Sequence, residues 1–272
     1  MKKKRLIPVL LLRNGWLVQS KGFSEYQNLG NPITAVKRLS QWASDELIYL
    51  DISTDENYDM RREDLHNPNR HTIFEILDDV SKRTFMPITI GGKIRTLKDI
   101  EDRLSRGADK ISINTKPLED KKFITQAAKQ FGSQCVVVSI DVKKIDDSYI
   151  VMKNSGSEIT KYGAKEWAKI AEECGAGEIL LNSVDRDGKK NGYEIPLLQE
   201  VSQAVKIPVI ACGGAGEWFD FAEAFDESAV DAVAAANVFH HIDQSVYLAK
   251  KYLYDNNYKV RPPNLLGIDE TL

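Results

Sequence analysis

The sequence predicts an α/β fold, a single (βα)8 TIM barrel spanning residues 1–272, and three observations predict it: eight short apolar runs, a helical pattern after each, and motifs that recur in the same order in the two halves. The runs are Leu6–Leu12, Leu47–Ile52, Pro87–Ile90, Lys110–Ile113, Cys135–Asp141, Glu178–Asn182, Pro208–Ala211 and Ala232–Ala235. Most are continuously apolar rather than alternating, as parallel strands read when helices cover them. The helix candidates are Pro32–Ser44, Thr72–Lys82, Thr96–Arg106, Pro117–Phe131, Gly163–Cys174, Ile195–Val205, Trp218–Asp226 and Ser245–Asn256. Pro32 suits a first helical position. Ile73, Ile76, Leu77 and Val80 recur three and four apart, which gives one helix an apolar stripe. Strict alternation of strand and helix favours a closed parallel barrel. An open doubly wound sheet is disfavoured because no GxGxxG follows the first run.

The repeat suggests duplicated half-barrels. Asp45-Glu46-Leu47-Ile48 parallels Gly177-Glu178-Ile179-Leu180, and Pro87-Ile88-Thr89-Ile90-Gly91-Gly92 parallels Pro208-Val209-Ile210-Ala211-Cys212-Gly213-Gly214. Two segments break the rhythm. Residues 53–71 form an enlarged polar loop after the second strand, and residues 258–272 read as an irregular extension around Pro262-Pro263. His66 and His71 lie five apart in that loop, a spacing too weak to assign a metal.

Composition narrows the function classes. The chain is 42% hydrophobic and 28% charged with net charge -3, so it carries no electrostatic footprint for nucleic acid. The basic start MKKKR is followed by an apolar run too short for a signal peptide, and no run is long enough to span a membrane. A cytoplasmic protein is expected. Cys135, Cys174 and Cys212 are widely spaced and read as free buried thiols.

Three groups of residues carry candidate chemistry. Gly91-Gly92 ends the third strand, Gly213-Gly214-Ala215-Gly216 the seventh, and Ala236-Asn237 the eighth. Glycines let backbone N–H groups approach an anion at a helix start, and the loops after strands 7 and 8 are the usual phosphate site of such barrels. The mirrored loops suggest a substrate with two phosphates stretched across the barrel mouth. Asp51, Asp141 and Asp187 end or follow strands 2, 5 and 6, where a carboxylate reads as catalytic, and Asp141 is the strongest candidate. Arg5, Glu46, Lys110 and Glu178 begin strands 1, 2, 4 and 6, and their opposite charges suit a ring across the barrel bottom.

Together these residues resemble the cyclase subunit of imidazole glycerol phosphate synthase, the HisF family. The resemblance covers almost the whole chain and is most specific at 107–115, 131–141, 175–181, 185–188 and 213–216. It implies a heterodimer with a glutaminase (HisH-like) subunit. Ammonia made there would enter through the charged gate of Arg5, Glu46, Lys110 and Glu178 and travel along the axis. It would react with a phosphorylated small molecule, giving imidazole glycerol phosphate and an aminoimidazole carboxamide ribotide. The resemblance places catalysis on Asp141, and substrate or phosphate binding on Asp51, Gly92, Lys93, Asn114, Thr115, Asn182, Asp187, Gly188, Gly213, Gly214, Ala236 and Asn237. No cofactor or metal is implied.

The departures from the family pattern are as informative. A second catalytic aspartate is expected on strand 1, where this chain has Leu11. Gln19 stands for a substrate-contacting lysine, Lys93 for the third glycine of the first phosphate loop, and Asn237 for a serine of the second. Leucine cannot exchange a proton, and general acid–base help is worth about 10²–10⁴-fold. The pattern fits a diverged branch that works in acetamidino-sugar and surface-polysaccharide pathways beside a sugar amidotransferase. A histidine-pathway cyclase with rearranged catalysis is the main alternative, with Asp51 a weak substitute acid. A sugar-phosphate isomerase barrel and a non-catalytic scaffold subunit are weaker ones.

Overall fold

A computed structural model describes residues 3–53, 58, 70–82, 86–240 and 244–264. In chain order the strands are β1 (Arg5–Arg13), β2 (Trp16–Lys21), β3 (Glu25–Gly30), β4 (Leu47–Asp51), β5 (Ile88–Gly91), β6 (Lys110–Ile113), β7 (Val136–Ile145), β8 (Ser148–Lys153), β9 (Glu158–Gly163), β10 (Glu178–Ser183), β11 (Val209–Cys212) and β12 (Ala232–Ala235). β1, β4, β5, β6, β7, β10, β11 and β12 pair in parallel in that order. β12 then pairs back on β1, Arg5–Pro8 against Ala232–Ala235, and closes the barrel. Closure leaves none of the eight with a free edge. All eight predicted runs are barrel strands.

Side chains alternate across this sheet with period two. Leu6, Leu10, Leu12, Tyr49, Val138 and Ile140 face outward into the large core under the helices. Ile7, Val9, Ile48, Val137, Leu180, Ile210, Ala232 and Ala234 face inward and form a separate, smaller core on the axis. Two residues below Ile7, Ile48 and Leu180 stand Arg5, Glu46 and Glu178, and Lys110 joins them through its register with Thr89, the partner of Ile48. Carried up, the inward set reaches Leu11, Leu50, Asn114, Asp141, Asn182, Cys212 and Ala236. One parity rule therefore assigns both the lower ring and the upper site.

The helices are α1 (Pro32–Gln41), α2 (Ile73–Ser81), α3 (Leu97–Leu104), α4 (Thr115–Glu119), α5 (Lys122–Phe131), α6 (Ala164–Glu173), α7 (Ile195–Ser202), α8 (Trp218–Glu227) and α9 (Ser245–Asp255). Capping sets several starts: Asn31 accepts from the Ile33 N–H, Thr72 from that of Glu75, and Thr96 with Asp99 makes a capping box. The predicted helix 117–131 is two helices, because Asp120 is extended and its side chain accepts from the Lys122 N–H. Helix α1 ends before Ser44, since Ala43 turns left-handed.

Two β-hairpins, unforeseen in the strand–helix pattern, stand on the barrel mouth. β2–β3 follows β1, and β8–β9 follows β7. The turn into β2 uses Asn14 and Gly15, both with positive φ, the pairing that a tight hairpin turn needs. Each half of the barrel thus opens with a long strand that runs out into a hairpin.

Of the enlarged loop, Ser53, Tyr58, Arg70 and His71 are described, whereas His66 lies outside the described residues. The extension from Tyr258 is irregular through residue 264 and lies beside the barrel bottom, where the Lys4 N–H donates to the Lys259 carbonyl. Asp45 ties this end together. Its carboxylate accepts from the Leu6 N–H at 2.9 Å and from the fully buried Lys250 Nζ at 2.6 Å, and Arg261 Nε lies 3.3 Å away. Burial lowers the Lys250 pKa, and Asp45 partly offsets this. Replacing Asp45 with Asn would leave the Lys250 ammonium buried beside a neutral amide. The expected loss of stability is about 3 kcal/mol, read as a lower urea midpoint at unchanged slope; an unchanged midpoint would show that the pair contributes nothing.

Candidate active site

The upper ends of the strands enclose a cavity of about 620 Å³. Its lining divides by chemistry. Val9, Leu11 and Leu50, from β1 and β4, make one wall apolar. Ser139 and Asp141 from β7, Asn182 from β10 and Asn114 after β6 make the opposite wall polar. Ser20, Phe23 and Tyr26 of the first hairpin and Asn154 and Ser155 of the second also line it. The tips of the hairpins approach each other there, since a Cβ on Gly156 would lie 3.0 Å from the Phe23 ring.

Asp141 is the most perturbed carboxyl at this mouth. It is 8% exposed, accepts from Asn114 Nδ2 at 3.1 Å, and lies 3.5 Å from Asn182 Nδ2. Burial pushes its pKa up to about 7; the two amides oppose the shift and Asp187 adds to it. A carboxyl titrating near neutrality inside a cavity is suited to exchange protons with a bound ligand. Leu11 lines the same cavity from β1, four strands around the barrel, and its side chain offers no acid or base.

The other two carboxylates are engaged. Asp51, 5% exposed, accepts from the Ser53 N–H at 3.0 Å, Ser53 Oγ at 2.6 Å and Tyr58 Oη at 3.1 Å, with Lys93 Nζ at 3.9 Å. Such a saturated carboxylate is poorly placed to serve as the substitute acid expected of it from the sequence. Asp187 accepts from Ser20 Oγ at 2.7 Å and the Phe23 N–H at 3.3 Å, so it holds the first hairpin down. Burial raises its pKa, against the pull of those donors.

The glycine loops differ in what they face. Gly92, with φ +96, passes so close to β4 that a Cβ would stand 2.1 Å from the Asp51 carbonyl oxygen. Gly92, Lys93, Asn114 and Thr115 line the cavity. From the second half, Asn182, Asp187, Cys212 and Ala236 line it, whereas Gly188, Gly213, Gly214 and Asn237 do not. The hairpin rests on two of these. Asn237 Nδ2 donates to the Ser20 carbonyl at 2.7 Å, and a Cβ on Gly188 would lie 2.4 Å from that oxygen. Gly214 packs on Gly192, whose N–H donates to its carbonyl at 3.1 Å. Cys212, read from sequence as a buried thiol, lies on the cavity wall, its pKa pushed up to about 12 by burial and then by Asp187 and Asp141.

At the other end of the axis the four lower charges pair in a ring. Arg5 Nη1 lies 2.6 Å from Glu46 and Nη2 bonds Glu178, while Lys110 Nζ lies 2.9 Å from Glu46 and 3.0 Å from Glu178. For Glu46 burial alone would raise the pKa, but Arg5 and Lys110 outweigh it and the net shift is downward. Lys110 shifts up, its burial outweighed by the two glutamates. Above the ring the strand registers put Thr89, Ser112 and Ser139 on inward positions, the two serines at the cavity wall. Ser112 Oγ, at the cavity wall, is buried with no hydrogen-bond partner among the described residues, which leaves an acceptor for a small donor there.

Sequence reasoning did not find Ser20, Phe23, Tyr26 and Tyr58 at this site. The Asn14-Gly15 turn signals the first hairpin, but no local pattern brings its tip to Asp187.

The Asp141 shift has a testable sign. The folded pKa of about 7 exceeds the ordinary 3.8, so the folded state keeps a proton over that window which the unfolded state has lost. The native chain should therefore lose stability as pH rises from about 4 to 7, and Asp141→Asn should escape that loss. The Tm difference in favour of the variant should grow across this window and level off above it; a difference constant from acid to alkaline pH would contradict the assignment.

Comparison with known proteins agrees with the geometry. Residues 5–244 match the family model described as "Histidine biosynthesis protein". The chain is 42% identical over 258 residues to imidazole glycerol phosphate synthase subunit HisF of Chlorobium phaeobacteroides, covering 95% of this chain and 98% of that one. It is 40% identical to the subunit of that name from Dehalococcoides mccartyi strain BAV1, with 97% and 100% covered. The Bacillus cereus subunit is 39% identical, with 95% and 98% covered. With a closed (βα)8 barrel and a phosphate-type glycine loop beside a buried carboxyl at its mouth, the chain belongs to the HisF family of imidazole glycerol phosphate synthase cyclase subunits.

Proposed function

We propose that this chain receives ammonia from a glutaminase partner at the barrel bottom and delivers it along the axis to a phosphorylated substrate beside Asp141, without efficient ring closure. The observation that carries the reading is the intact charge ring below combined with Leu11 facing Asp141 above. The ring covers the lower end of the inward-facing set, and Ser112 Oγ offers a small N–H donor an acceptor on the way up. The relatives bear the name of a synthase subunit, which supports a heterodimer here as well. The family reaction takes ammonia and a ribulosyl bis-phosphate to imidazole glycerol phosphate and the aminoimidazole carboxamide ribotide. A single carboxyl can give or take a proton at one position, but with leucine across from it a second, simultaneous transfer has no partner. The setting that fits such a chain is acetamidino-sugar synthesis, with a sugar amidotransferase as the consumer of ammonia.

A second reading, a true histidine-pathway cyclase, is favoured by the Asp141 site and by Asp187, which lines the same cavity and raises the Asp141 pKa. Incubating the chain with the ribulosyl bis-phosphate and ammonium salt separates the two. On the first reading turnover is slow, Leu11→Asp raises it about 10²-fold or more, and the barrel still binds and stimulates a glutaminase. Native turnover that Leu11→Asp leaves unchanged and Asp141→Asn abolishes would replace it with the second reading. Absence of both complex and stimulation would remove the ammonia-handling role.

A further inference from the structure

We propose that this cavity takes a substrate with its negative charge at one end only, a phosphate monoester whose other end is an uncharged or cationic hydrogen-bond donor, and that it discriminates against a molecule with phosphates at both ends. The inference rests on the reading of the cavity as a site for a phosphorylated substrate and narrows the class of that substrate.

The distribution of charge around the cavity is the first observation. The cations that line it, Lys93, Arg95 and Lys116, all follow β5 or β6. Arg95 is exposed and Lys116 half-buried, and among the described residues neither side chain has an ion pair. Asp51 and Glu119 line the same side and offset the cations in part. The opposite side carries the opposite sign. Asp141 on β7 and Asp187 after β10 are both buried at the cavity wall, and among the described residues no cation from β7 through β12 lines it.

The second observation is what covers the far glycines. Asn237 Nδ2 donates to the Ser20 carbonyl at 2.7 Å, and a Cβ on Gly188 would lie 2.4 Å from that oxygen and 2.9 Å from the Lys21 Cα. The Gly22 N–H donates to the Asp187 carbonyl at 3.1 Å, and Ser20 Oγ to the Asp187 carboxylate at 2.7 Å, which fastens the first hairpin over Gly188 and Asn237. Gly214 is covered by Gly192, whose carbonyl oxygen would meet a Cβ there at 2.1 Å. Protein oxygens thus stand over these backbone groups. An anion brought to this side would have to displace them and would then face Asp187 and Asp141, and like charges repel most strongly where water is excluded.

The third is the hydrogen-bonding character of the wall beside Asp141. Asp141 accepts from Asn114, and two residues before Asn114 the buried Ser112 Oγ, 4% exposed, has no partner among the described residues. A carboxylate and an unused hydroxyl oxygen suit a ligand end that brings O–H or N–H donors. The cavity is therefore polar in the electrostatic sense, positive toward one end of a ligand and rich in acceptors toward the other.

Calorimetric titration of glucosamine 6-phosphate, glucose 6-phosphate and glucose 1,6-bisphosphate into the full chain tests this. The amino sugar phosphate should bind tightest and the bisphosphate weakest, with about ten-fold between them. The double variant Arg95→Gln/Lys116→Gln, at two surface-reaching positions, should weaken glucosamine 6-phosphate about ten-fold and flatten its loss of affinity on adding salt. A bisphosphate bound as tightly as the amino sugar phosphate, or more tightly, would overturn the one-ended substrate while leaving the cavity a site for phosphorylated sugars. Unchanged affinity and salt slope in the double variant would overturn the assignment of the anionic end. A native chain that binds none of the three would remove the reading of the cavity on which the proposal rests.

Discussion

Closure of β12 onto β1 is the constraint from which the rest of the molecule follows. A closed parallel sheet has one inside and one outside, so strand parity decides the fate of every side chain. Outward residues meet helices and make the large core. Inward residues meet one another along this narrow axis. The chain fills its middle with Ile7, Val9, Ile48, Val137, Leu180 and Ile210, opposite small Ala232 and Ala234. It fills its two ends with polar chemistry.

Those ends solve opposite electrostatic problems. At the bottom, two cations and two carboxylates are partly buried, and each charge finds two of the other sign. At the top, Asp141 is buried with amide donors and, among the described residues, no cation in contact, so its ionised form is disfavoured and its pKa climbs. A ring of paired charges is rigid and quiet. A lone buried carboxyl is poised to change its protonation. Leu11 lines the same cavity as Asp141 and brings an apolar side chain to it.

The hairpins add a layer that the barrel alone lacks. Each grows from the first strand of a half-barrel, and together they roof the cavity. Asp187 and Asn237 hold the first hairpin through Ser20 and Phe23, so residues expected to cradle a second anion also carry the roof. The Gly92 side is open to the cavity and carries its own cation, which makes the two ends of the site chemically unequal despite the repeat.

Strand and helix order and the aspartates at strand ends were legible in the sequence, because apolar runs and strand-end charges are local patterns; which strand residues face inward was not, because the runs are continuously apolar. The four charged residues of the lower ring could be named because each begins an apolar run and two of each sign are present. The fold alone decided what those residues meet. No local pattern reveals that Tyr58 binds Asp51, that Arg103 supports Gly92, or that the hairpin tip rests on Asp187. The pKa of Asp141 likewise depends on desolvation by residues far away in the chain. Sequence determines which side chains a strand offers to each face; only closure of the barrel brings them close enough for burial and charge to set their chemistry.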